Sequence, residues 1–194
     1  MAPAIVAGLG NPGKTYADTR HNLGFRVLDA LANRSGTSFR ADSRINGTVA
    51  KTTLAGRTTW LLKPLTFMNE SGVCIGALVA FLKLPVESLL VVHDDITLET
   101  GAAKLSTGGG TGGHNGVASI LQHLPANSFA RLRIGIGGKH WPEQELTDHV
   151  LGKLTEEEQT VFSGRLATYI QNIETWLEQG TAKAQNFINK KQKQ

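Results

Sequence analysis

Ala4-Ile5-Val6-Ala7-Gly8-Leu9-Gly10-Asn11-Pro12-Gly13-Lys14-Thr15, running on to Thr19-Arg20-His21-Asn22, is the stretch on which the reading of this chain turns. A short apolar run ending in glycine reads as the first strand of an α/β domain and the loop that leaves it. The loop satisfies three signatures at once. Gly8, Gly10 and Gly13 spell the dinucleotide-binding G-x-G-x-x-G, while Gly8 through Thr15 spell the phosphate-binding G-x-x-x-x-G-K-T. In a third reading Asn11 and His21 carry the chemistry, and the glycines only serve a tight turn at the strand end.

Outward from this loop, strands and helices alternate. Phe25, Leu28, Leu31 and Ala32 make a helical stripe over 23–32. Residues 44–53 and 58–63 read as a strand hairpin joined at Ala55-Gly56-Arg57. The stretch from Val73 to Leu84 is apolar almost all round, which predicts a buried helix stopped before Pro85. Leu89-Leu90-Val91-Val92 reads as a central strand covered on both faces and ending in His93-Asp94-Asp95. A second glycine-dense loop, Gly108 to Gly116, opens a helix over 117–124, and the alternation from Arg131 to Ile136 reads as another strand. Residues 138–153 look irregular. Thr155 and Glu158 form a capping box for a last helix, which carries Phe162, Leu166, Tyr169, Ile170, Ile173 and Leu177 on one face and ends before Gly180. The expected fold is α/β: a single-domain three-layer α/β/α sandwich with a twisted mixed sheet, spanning 1–194, with 181–194 as a basic helix or tail.

Composition bounds the function classes. A chain of 194 residues with 40% hydrophobic and 19% charged side chains can bury a core and is not disordered. The single cysteine, Cys74, sits in the apolar helix and reads as packing; one thiol forms no internal disulfide, which fits an intracellular protein. No charged-then-apolar leader opens the chain and no apolar run reaches bilayer length, so a soluble, cytoplasmic protein without membrane contact is expected. Basic charge gathers in residues 1–60 and in the tail lysines Lys183, Lys190, Lys191 and Lys193, away from the acidic stretch 141–178. That distribution suits a polyanionic partner as well as a solvated surface.

In open α/β sheets, ligands bind beyond the carboxyl ends of the strands. The residues just past each expected strand make a catalytic inventory: Asn11 and His21, then Phe67 and Asn69, then His93, Asp94 and Asp95, then His114 and Asn115. A P-loop phosphotransferase would use Gly8 to Thr15. However, Pro12 removes an N–H from a loop meant to present N–H groups, and residues 16–22 lack the stripe of the helix that should come next. The dinucleotide reading lacks a strand ending in an acid about 20 residues on. A metal hydrolase built on His21, His93, Asp94 and His114 has none of the usual paired-ligand spacings.

Taken together, Gly8 to Gly13, Thr19 to Asn22, Phe67-Met68-Asn69-Glu70-Ser71-Gly72, His93-Asp94-Asp95, Gly108 to Gly116 and Arg131 to Gly137 resemble the bacterial peptidyl-tRNA hydrolase family in order and spacing over nearly the whole chain. The resemblance implies an esterase that cleaves peptide from tRNA, acts as a monomer, and needs no cofactor or metal. It implies His21 as the base that activates water, Asp94 as its partner, and Asn11 as a contact near the scissile ester that helps refuse a free α-amine. Asn69 and Asn115 would orient substrate and water, with Tyr16 and Phe67 lining the site. Lys104 and Arg133 would hold a tRNA phosphate, although Ser106 stands where the family usually has a lysine. The stretch from His140 to His149 would be a mobile flap over the cleft.

Overall fold

The computed structural model describes residues 2–139 and 143–190. Strand β1 (Ala4–Gly8) is buried along its whole length. Helix α1 (Leu23–Arg34) comes after two short 3-10 turns, Lys14–Tyr16 and Arg20–Asn22. Then come β2 (Arg40–Asp42), β3 (Gly47–Leu54) and β4 (Arg57–Pro64). Next are α2 (Ser71–Leu82), β5 (Leu89–Asp95), β6 (Ala103–Thr107), α3 (Asn115–His123) and β7 (Ala130–Gly135). Helices α4 (Leu146–Leu151) and α5 (Glu156–Lys190) complete the described chain.

All seven strands join one mixed sheet in the order β2-β3-β4-β1-β5-β7-β6. The inner four, β4, β1, β5 and β7, run parallel, so their carboxyl ends open on one edge. The other pairings are antiparallel. Side chains of β1 divide between two cores, as the period-2 pleat requires. Ala4 and Val6 pack with α1 and α5 residues such as Val27, Leu31, Ile173 and Trp176 on one face. Ile5 and Ala7 pack with Ile75, Leu78, Val117 and Ile120 of α2 and α3 on the other. This is the expected three-layer sandwich with a mixed sheet.

The β3–β4 hairpin turns on Ala55 and Gly56, both at positive φ (48° and 69°), the backbone of a two-residue primed turn. Several expectations need correction. Strands β2 and β6 are illegible in the sequence because each is short and at an edge; β6 buries only Ala103 and Leu105 of its five residues. Helix α2 is not buried all round: Val73 and Phe81 are about half exposed, with the Arg44 guanidinium 4.6 Å over the Phe81 ring. The stretch 138–153 contains α4, while His140 to Pro142 lie outside the described residues. The last helix does break at Gly180 (φ 74°, ψ 169°), yet it resumes and continues to Lys190; Lys191 to Gln194 are outside the described residues.

The opening glycines do more than turn the chain. Gly13 adopts φ 100°, but Gly8 and Gly10 serve close approach. A Cβ on Gly8 would lie 2.4 Å from the Gly24 carbonyl oxygen, and one on Gly24 would lie 2.4 Å from Leu9 N and Val92 O. This contact seats the start of α1 directly on the ends of β1 and β5, and so sets the depth at which the preceding His21 turn sits. No helix starts after Gly13, and Lys14 and Thr15 are exposed on a single 3-10 turn, which leaves the phosphate-binding reading without its helix.

Gly24→Ala must move backbone at that contact, with a cost of about 1–3 kcal/mol and a fall in Tm of roughly 2–4 °C per kcal/mol for a chain of this size. Thermal unfolding followed by circular dichroism checks this, with Lys14→Ala as a control expected to melt like the parent.

Candidate active site

Asp94, near the end of β5, is 2% exposed and receives two imidazoles. His21 Nδ1 lies 2.9 and 3.0 Å from its two carboxylate oxygens, and His114 Nε2 lies 2.9 Å from Oδ1. The His21 and His114 rings are 4.7 Å apart, and His93 meets His114 edge-on at 4.7 Å. Burial works to raise the Asp94 carboxyl, but the electrostatic attraction and hydrogen bonds from the His114 and His21 rings outweigh it and hold the group below the usual carboxylate range. An ionised Asp94 only accepts, so both facing nitrogens must carry protons.

The local structure fixes where those protons sit. His114 is the N-cap of α3: its Nδ1 accepts from Gly116 N at 3.1 Å and Val117 N at 3.4 Å. With Nδ1 committed as acceptor, the proton belongs to Nε2 and points at Asp94. His21 donates from Nδ1, which leaves Nε2 on the far side of its ring as a bare lone pair. His93 donates from Nδ1 to the Asp94 carbonyl at 2.7 Å, and burial, aided by the neighbouring His114, pushes its pKa down to about 3. It is neutral. The sequence places His114 in the inventory without a role; its position just before Asn115-Gly116 at a helix start is the signal for one.

Asn11 is set with similar closeness. Its N–H donates to Asn22 Oδ1 and its carbonyl accepts from Asn22 Nδ2, both at 2.9 Å, while its own Oδ1 accepts from Met68 N at 2.7 Å. That last bond orients the amide and leaves Nδ2 without a protein acceptor among the described residues. The clamp on this loop is Asn22, a role the sequence does not suggest, since only the fold shows its amide matched to a backbone N–H and C=O.

Two cavities meet at His21. One is lined by His21, Asp94, His114 and Asn115 with Leu146, Thr147 and Val150 of α4. The other adds Asn11, Phe67, Met68 and Asn69. His21, Asn115, Thr147 and Val150 line both, so they form one cleft at the carboxyl ends of the parallel strands. Phe67 is 56% exposed at its rim. Tyr16 is half-buried on its turn, where its carbonyl accepts from Thr19, and it lies outside the lining of these two cavities.

A third cavity, lined by Ser106, the glycine loop, Arg131 and Arg133, adjoins the first through His93 and Asp95. Arg133 donates from Nε to Asp95 Oδ2 at 2.6 Å, and the exposed Lys104 faces it across the β6–β7 ladder. Arg131, unassigned from the sequence, straps the glycine loop: Nη1 reaches Gly110 O at 2.7 Å and Nη2 reaches Gly109 O at 3.2 Å.

His21, Asp94 and His114 present ligand atoms within 4.8 Å of one another, close enough for a metal ion. The proton inventory favours another use. His114 Nε2 is an N–H donor by virtue of its cap, and a metal needs a lone pair there.

An α/β sheet whose strand ends hold an oriented imidazole–carboxylate pair in a cleft of amides is an arrangement suited to a hydrolase. The model of the peptidyl-tRNA hydrolase family matches residues 5–194. The chain is 43% identical to the peptidyl-tRNA hydrolase of Akkermansia muciniphila, covering 95% of both chains. It is 42% identical to that of Anaeromyxobacter dehalogenans, covering 96% of both. The crystal structure of peptidyl-tRNA hydrolase from Acinetobacter baumannii superposes with a TM-score of 0.88 at 37% identity, covering 96% of this chain and 94% of that one. The chain belongs to the peptidyl-tRNA hydrolase family. Among the described residues no helix is long and apolar enough to cross a membrane.

Since Asp94 is held below its ordinary range when folded, its ionisation stabilises the fold above the unfolded carboxylate value of about 3.9, and that contribution is lost as pH falls through and below it. Asp94→Asn removes the effect, so Tm measured from pH 7 to pH 3 falls less steeply than in the parent.

Proposed function

We propose that this protein hydrolyses the ester joining a peptide, or an N-blocked amino acid, to the ribose of tRNA, releasing free tRNA. The reading rests on one observation: His21 Nδ1 lies 2.9 Å from the buried Asp94 carboxylate, which assigns the proton to Nδ1 and leaves Nε2 as the lone pair in a cleft that Asn11, Asn69 and Asn115 also line. His21 Nε2 takes a proton from water as the oxygen attacks the ester carbonyl, and the same proton then passes to the leaving ribose oxygen. Asp94 stabilises the imidazolium that forms between those steps. An ester is activated enough for a base and oriented amides to suffice without a covalent nucleophile. Cys74, the one thiol, is buried and pushed up to about 12, mainly by burial, and takes no part.

Asn11 Nδ2 is a donor suited to a peptide carbonyl near the scissile bond, and an α-ammonium group there would meet a donor rather than an acceptor. That accounts for a preference for N-blocked substrates. Asn69 and Asn115 orient carbonyl and water, and Tyr16 and Phe67 meet the peptidyl-tRNA end. Lys104 and Arg133, beside the third cavity, supply charge for a tRNA phosphate, a contribution that weakens with salt. The whole chain works as one domain and as a cytoplasmic monomer.

The decisive comparison is tRNA release from an N-acetylated aminoacyl-tRNA against the unblocked form; the blocked substrate is expected to be strongly preferred. His21→Ala lowers kcat by ~10²–10⁴-fold, the usual worth of a positioned base, with the fold retained by circular dichroism. Near-parental turnover would sink the mechanism. Activity is expected to survive EDTA, and a loss restored by zinc would transfer the site to the metal reading.

A further inference from the structure

Arg20 is 4% exposed, and its guanidinium binds both Glu158 and the backbone of α4. Its Nε and Nη2 bind both oxygens of Glu158, at 2.9 and 2.8 Å, and its Nη1 reaches the His149 carbonyl in α4 at 3.2 Å. Glu158 Oε2 also accepts from Thr155 N at 2.8 Å while Thr155 Oγ1 accepts from Glu158 N at 3.2 Å, so the capping box of α5 is part of the same network. Backbone contacts run alongside: Arg20 N donates to Gly152 O at 3.1 Å, and Leu154 N to Asp18 O at 3.0 Å. Gly152 has to be small, because a Cβ there would lie 2.7 Å from Arg20 Nη1.

We infer that the Arg20–Glu158 pair is a positioning element for the reaction, locking the turn that carries His21 to the helix that walls the cleft. This rests on the general-base reading of His21. Arg20 precedes His21 directly, and His149 lies between Thr147 and Val150, which line both cavities with His21. One guanidinium thus sets the base and the opposite wall relative to a third body, the N-terminus of α5. Burial works to raise the Glu158 carboxyl, but the hydrogen bonds from Arg20 and Thr155 outweigh it, so Glu158 stays ionised at neutral pH. Arg20 and Glu158 line neither cavity and act only through their neighbours.

Glu158→Gln keeps the shape and an acceptor for Thr155 N but loses the charged fork; Arg20→Lys keeps the charge and loses the fork. Both are expected to lower kcat on N-acetylated aminoacyl-tRNA by roughly 10- to 100-fold, with KM changed by less than about twofold. Tyr169→Phe, which deletes a buried hydrogen bond to Gly101 O remote from the cleft, lowers Tm without that loss of kcat. A second readout needs no substrate: solvent exchange of the His21 Nδ1 proton, followed by NMR, speeds up in Glu158→Gln and not in Tyr169→Phe. Parental kcat in Glu158→Gln, or a loss that tracks Tm equally in Tyr169→Phe, overturns the inference. So does an unchanged exchange rate, even if the parent protein proves inactive on this substrate, an outcome that would itself count against the hydrolase reading.

Discussion

One buried carboxylate sets the protonation of the whole site. Asp94 is nearly inaccessible, and its charge is tolerated only because two imidazole N–H groups point at it. That requirement propagates outward. His114 serves because its other nitrogen is tied to the N-terminus of α3, and His21 serves because its other nitrogen is then free for the cleft. Removing either donor leaves an ion short of a partner in a low-dielectric interior, where the cost is greatest. The same geometry that makes the ion tolerable makes the base.

The fold supplies the four anchor points. Parallel β1, β4 and β5 bring Asn11, the Phe67–Asn69 turn and Asp94 to one edge, and the glycine loop, which leaves antiparallel β6 beside the start of β7, carries His114 back to Asp94. The contact of Gly8 with Gly24 lets α1 sit on the strand ends, so the turn before it carries His21 inward to Asp94. Asn22 fixes the Asn11 backbone, Arg131 fixes the glycine loop, and Arg20 joins the His21 turn to α4 and α5. Each is a polar side chain bound to backbone or to an opposite charge, and none lies in the lining that the base shares with Asn69 and Asn115.

Much of this is legible in residue order, and the reasons it fails elsewhere are physical. The central strands are plain because β1 and β5 are apolar on both faces, as covered strands must be. Asn11, Asn69 and Asp94 stand at or just past strand ends in the sequence, with His21 and Asn115 on the loops further on, and the fold does bring all five around one cleft. The glycine loop misleads because regular expressions count glycines without asking why they are there: Gly8 and Gly10 answer to Gly24 and Phe25, not to phosphate. Two pairings, Arg20 with Glu158 and Arg131 with the glycine loop, join parts of the chain that no local pattern relates, so the sequence hides them. Strand β6 is hidden for a different reason: its apolar alternation is only Ala103 and Leu105 long, and hydrogen bonds to β7 and to the Asn189 amide hold it at the edge.

The chemistry proposed for this cleft comes down to where two protons sit, and ¹⁵N NMR of the histidine rings at neutral pH observes them directly. The expected result is His21 as the Nδ1–H tautomer with an unprotonated Nε2, and His114 as the Nε2–H tautomer with an unprotonated Nδ1. A His21 ring protonated on Nε2 with Nδ1 bare, or a His114 proton found on Nδ1, would refute it.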